Sequence, residues 1–147
     1  MWGQSSQRRH TNCTRRSSIL RVGLLLPTGF SVLSFAPIAV FETANSVAGE
    51  RFYDIHFVSE TGKIANSLGT TTDTVLMGEH SYDTLLLGAG AETGAEIVPP
   101  TPRTVAFLRD AAASTRRIVS ICIAAFTLAE AGLLDGRRAT TPAPFVR

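Results

Sequence analysis

The sequence predicts an α/β fold, a mainly parallel sheet with helices on both faces. Four short apolar runs read as strands: Ile19–Leu26, Phe52–Ser59, Tyr82–Leu87 and Arg116–Ile121. Segments with helical character separate or follow them, at Ser31–Val47, Thr104–Ser114 and Ile123–Leu134. The resulting order, β-α-β-(β-β)-β-α-β-α, is the alternation that right-handed crossovers turn into a parallel sheet. A chain of 147 residues, 44% apolar and 18% charged, suits one domain with a sizeable core and excludes a wholly disordered protein.

The elements follow from local chemistry. Residues 1–18 are rich in Arg, Ser, Thr and Gln, hold no acid and show no apolar period, so they are expected to form a disordered basic extension. Ile19–Leu26 is an apolar strand interrupted by Arg21 and Gly23, and Pro27-Thr28-Gly29 ends it. Ser31 is placed to cap the helix that follows, and Ala48-Gly49 to stop it. Phe52–Ser59 is the second strand, with His56 inside it, and Glu60–Lys63 is a turn. The Thr-rich pieces Ile64–Leu68 and Thr70–Val75 read as a small hairpin, with a short turn over Leu76–Glu79. Tyr82–Leu87 runs into Gly88-Ala89-Gly90, where glycine permits close backbone approach. Ala91–Pro102, with three prolines, is a loop; Thr101 or Thr104 begins the next helix. The last strand enters the apolar helix Ile123–Leu134, which Asp135-Gly136 closes.

Charge and cysteine content narrow the function classes. The net charge of +2 is too small to imply nucleic-acid binding. Two cysteines, Cys13 in the polar tail and Cys122 at a strand–helix joint, do not suggest a disulfide, so a reducing compartment, the cytoplasm, is expected. No Cys-x-x-Cys pair or His/Cys cluster with zinc spacing occurs, and the Gly-Ala-Gly turn lacks dinucleotide-fingerprint spacing; neither a metal nor a cofactor is expected. Val22–Phe41 is uncharged and long enough to span a bilayer, but Pro27, Gly29, Ser31, Ser34 and Pro37 divide it into a strand-like and a helix-like half. An exported or membrane-anchored protein is therefore the rival reading, and a chain without a membrane segment the preferred one.

The chemistry concentrates at Cys122. A thiol on a strand–turn–helix joint sits over unpaired helix N–H groups, where a thiolate is favoured. Elbow-type nucleophiles use this geometry with small residues two positions away on each side, here Ser120 and Ala124. The topology would gather the turns after the first and third main strands beside Cys122.

The segments RVGLLLPTGFSVLSFAPIAVFETAN, YDIHFVSETG, YDTLLLGAGAE and, most specifically, SICIAAFTLAEAGLLDGRRATT resemble the DJ-1/PfpI-like domain. The resemblance is closest to the amino-terminal domain of GlxA-type transcriptional regulators of the AraC family, and it covers about residues 20–141. It implies a flavodoxin-like, class I glutamine-amidotransferase-like three-layer sandwich over 19–141, with the family's C-terminal part missing and 142–147 a divergent tail. Enzymatic members pair the elbow cysteine, here Cys122, with a histidine and often an acid after the first strand. Where the regulators' histidine would follow Ala-Thr-Thr, this chain has Ala139-Thr140-Thr141-Pro142; its histidines are His10, His56 and His80. The acid position falls at Leu33, Ser34 or Ala39, with Glu42 further along.

The resemblance therefore implies a non-catalytic, ligand-sensing domain, a fragment of a regulator that lacks its helix-turn-helix and does not itself bind DNA. A small-molecule ligand held by Gly88, Ala89, Gly90, Cys122 and Ile123, and a homodimer, are the expected partners. The alternative is a small hydrolase, deglycase or glyoxalase-like enzyme in which Cys122 is the candidate catalytic residue.

Overall fold

The computed structural model describes residues 18–90, 92–93 and 96–141. Strand β1 (Leu20–Leu25) leads through a 3-10 turn (Val32–Phe35) into helix α1 (Ala36–Ala48). Strand β2 (Tyr53–Ser59) is followed by β3 (Lys63–Ala65), β4 (Thr71–Asp73), β5 (Val75–Leu76) and β6 (Thr84–Leu87). Two short strands, β7 (Glu92–Thr93) and β8 (Glu96–Ile97), precede α2 (Pro102–Ala112), β9 (Arg117–Ser120) and α3 (Ala124–Glu130). The expectations for the basic extension and the divergent tail fall outside the described residues, apart from Ser18.

Five strands form one parallel sheet in the order β5-β2-β1-β6-β9. The chain leaves β1 in one direction to lay down β2 and β5, and in the other to lay down β6 and β9. The carboxyl ends of β1 and β6 therefore flank a switch point, where open α/β sheets carry their clefts.

Alternation along the strands divides the core in two. Val22, Leu24 and Leu26 pack with Phe30, Ile38 and Leu86 under α1. Leu25, Val58, Leu85 and Leu87 pack with Leu108 of α2 and Ala124 and Leu128 of α3 on the opposite face. Leu24 is fully buried, and each such leucine contributes about 1.5–3 kcal/mol of hydrophobic stabilisation. Gly23, which interrupts the first strand's apolar run, has a packing reason. A Cβ there would lie 2.8 Å from Cδ1 of the buried Tyr82 ring.

The run Val22–Phe41 is divided among β1, the Pro27–Gly29 turn, the 3-10 turn and the start of α1. Among the described residues no helix is long and apolar enough to cross a membrane. Ser31 caps the 3-10 turn, its Oγ accepting from the Leu33 N–H, and Gly49 at φ 68° closes α1. Three elements differ from expectation. Val75 and Leu76 leave the hairpin and pair in parallel with Val58 and Ser59, because Val75 gains a place against the core beside Val58 and Met77. The loop after Gly90 carries the antiparallel pair β7–β8. Helix α3 stops at Glu130 because Gly132, at φ 74°, turns the chain. The N–H groups of Gly132 and Leu133 then bond the Ala129 and Leu128 carbonyls at 2.8 and 3.0 Å.

Candidate functional site

Cys122 lies between β9 and α3 at φ 55°, the one non-glycine residue with positive φ among the described residues. An L-residue in this region costs about 1–2 kcal/mol, and strain of this kind collects at functional turns. The turn is tight: Ala124 N–H donates to the Ile121 carbonyl at 3.0 Å, and Ile123 and Ala124 are buried.

The thiol itself is exposed, and no hydrogen bond reaches it from any described residue. The two described histidines, His56 and His80, are engaged elsewhere. His56 Nε2 lies 3.1 Å from Asp54 Oδ2, and its ring meets that of His80 edge-on at 4.9 Å. His10 lies outside the described residues. Of the positions where an acid was sought, Leu33 and Ala39 are exposed and apolar, and Glu42 is exposed on α1. Ser34 is fully buried, and its Oγ accepts the Ala89 N–H at 3.0 Å. None of these positions supplies a carboxylate to the cysteine, and the Ser34 hydroxyl is pinned to the loop after β6.

Beside the elbow, at the carboxyl ends of β1 and β6, opens a cavity of about 200 Å³. Its floor is Leu25, Leu26 and Pro27 from the end of β1, with Leu87, Gly88 and Gly90 from the end of β6. Ile123, Ala124 and Thr127 form the α3 wall, and Ile97–Pro100 the opposite wall. Of the five residues expected to bind a ligand, Gly88, Gly90 and Ile123 line it. Ala89 is buried and turned to Ser34, and Cys122 is not among the lining residues. Gly88 is required for closeness: a Cβ there would meet Ser34 Oγ at 3.0 Å and Leu26 Cδ2 at 3.1 Å.

In the sequence Glu60 reads only as part of a turn, and Thr101 and Thr104 only as helix starts. All three line the cavity. Glu60 Oε1 accepts from the hydroxyls of Thr101 and, at 2.7 Å, Thr104. Thr101 Oγ1 in turn accepts the Thr104 N–H at 3.0 Å as the N-cap of α2. Burial acts to raise the Glu60 pKa, but the two hydroxyls and the Arg103 charge outweigh it and hold the carboxyl below its ordinary range. The signal available in the sequence was an acid directly after a parallel strand, at the edge where such sheets bind ligands.

The model of the DJ-1/PfpI family matches residues 24–145. The chain belongs to the DJ-1/PfpI family. Among curated relatives, an uncharacterised Streptomyces lividans protein from the cpoL 5′ region is 35% identical over 126 residues, covering 82% of this chain and 86% of that protein. The HTH-type transcriptional regulator GbdR of Pseudomonas aeruginosa is 29% identical over 119 residues, which are 78% of this chain and 32% of the regulator. The crystal structure of an AraC family transcriptional regulator from Pseudomonas putida superposes with a TM-score of 0.64 at 24% identity, over 80% of this chain and 64% of that one. The chain thus spans about a third of GbdR and under two thirds of the Pseudomonas putida structure.

Proposed function

We propose that this DJ-1/PfpI domain is a non-catalytic, ligand-sensing regulatory domain of the GlxA type, corresponding to the sensing portion of an AraC-family regulator and acting in the cytoplasm. The observation that carries the reading is the separation of cavity from thiol. Gly88, Gly90 and Ile123 line a cavity at the switch point, while Cys122 stands outside it without a histidine or acid partner among the described residues. Nucleophilic catalysis by cysteine normally needs such a base or a strongly activating neighbour. The relationship to GbdR supports a regulatory role, and because that match covers 32% of GbdR, DNA binding is not assigned to this chain. We also read the domain as a homodimer, which sedimentation equilibrium would test; a strictly monomeric species would remove that part.

The left-handed φ and the exposure of Cys122 favour a second reading, a small cysteine-dependent enzyme. Alkylation by iodoacetamide at pH 6, followed by peptide mapping to separate Cys122 from Cys13, decides between them. The regulatory reading expects Cys122 to react no faster than a free thiol. A rate more than about tenfold above it would mark an activated thiolate and favour the enzyme.

A further inference from the structure

We propose that the cavity recognises a small organic cation, a protonated amine or guanidine on a compact hydrocarbon body, with the Glu60 carboxylate as its anchor. The inference rests on the reading of the cavity as a ligand site and adds the chemical class of the ligand.

Four observations support it. First, Glu60 is the one charged residue among those described as lining the cavity, and its carboxyl is held in the ionised form. Second, its two oxygens are unequal. Oε1 accepts both threonine hydroxyls, whereas Oε2 has no partner among the described residues. Arg103 donates to the Glu60 main-chain carbonyl at 3.1 Å and is not part of the lining. A carboxylate so arranged is fixed in position yet retains a free acceptor, and a charged N–H donor is its strongest complement. Third, the rest of the lining is mostly apolar, including Leu25, Ile64, Leu87, Ile97 and Ile123, and suits a hydrocarbon body. Fourth, no aromatic residue is among the described residues that line the cavity. A quaternary ammonium, which relies on aromatic faces, finds no such surface among these residues, which favours a cation that carries N–H.

Glu60 also braces the start of α2, a structural role that Glu60→Gln largely preserves because the amide keeps a carbonyl acceptor for the threonines. The charge is what that substitution removes.

The experiment uses the full chain and three compounds of one shape: cyclohexylamine, cyclohexanol and cyclohexanecarboxylate. Binding is followed at neutral pH by saturation-transfer NMR and titration. The expected result is that the cyclohexylammonium ion binds at least about tenfold more tightly than the other two. Glu60→Gln, with its Tm measured alongside, should remove that preference. Tighter binding of the alcohol or the carboxylate would overturn the cation assignment while leaving the cavity a ligand site. Failure of all three to bind, with broader neutral and anionic libraries equally silent, would overturn both. An unchanged preference in a folded Glu60→Gln protein would remove Glu60 as the anchor. If Glu60→Gln does not fold, the three-compound comparison on the wild-type chain still decides the class.

Discussion

Replacing Ser34 with alanine tests how the loop that floors the cavity is held. Ser34 is fully buried and Ala89 nearly so, and the 3.0 Å bond between them joins the segment after β1 to the loop after β6. Removing the hydroxyl leaves the Ala89 N–H buried without a partner, a loss of about 1–3 kcal/mol. In a domain of this size that corresponds to a Tm lower by roughly 3–12 °C. Ser31→Ala is the comparison. Ser31 Oγ accepts only the Leu33 N–H, at 3.3 Å and near the surface, so its loss should sit at the low end of capping effects, about 0.5 kcal/mol. Thermal unfolding followed by circular dichroism measures both. Ser34→Ala within about 1 °C of wild type, or no more damaging than Ser31→Ala, would refute the idea that this bond fixes the loop.

Three further outcomes follow from the same geometry. Cys122→Gly should leave Tm unchanged or raise it slightly, since glycine accepts φ 55° freely, whereas Cys122→Val should lower it; differential scanning fluorimetry on both variants checks the strain. Gly23→Ala should destabilise by about 1–3 kcal/mol in denaturant titrations, because its methyl would overlap the Tyr82 ring. Acid should destabilise through Asp83: hydrogen bonds from Arg116, partly opposed by burial and assisted by Thr84, depress its folded pKa. The unfolded chain then takes up the proton first, so this stability is present above about pH 4 and is lost as pH falls through the folded value; Asp83→Asn should flatten that limb of a Tm–pH profile.

Much of this fold is written in local patterns. The apolar runs at β1, β2, β6 and β9 declare buried parallel strands, and Gly49 and Thr101 act as the helix stop and start that their residue types suggest. The elbow was legible too, since Ser120, Cys122 and Ala124 carry its spacing and Cys122 has its backbone angle. What stayed hidden depends on contacts distant in sequence. Val75 has ordinary hairpin chemistry, and only the neighbouring Val58 draws it into the main sheet. Glu60 looks like a turn residue until α2 brings Thr101 and Thr104 to it across more than 40 residues. Ser34 is unremarkable in sequence, yet its hydroxyl reaches Ala89, 55 residues away. The elbow pattern at Cys122 specifies where the backbone turns but not which way the neighbouring cavity opens, and the cavity is lined by Ile123 and Ala124.

The central claim is that the switch-point cavity, and not the thiol, is where this domain meets its ligand. The most direct measurement is an amide chemical-shift map of cyclohexylamine binding, in wild type and in Cys122→Ala. The account predicts shifts at Gly88, Gly90, Thr104 and Ile123, with affinity unchanged by the substitution. Shifts confined to other surfaces, or binding abolished in a folded Cys122→Ala protein, would contradict it.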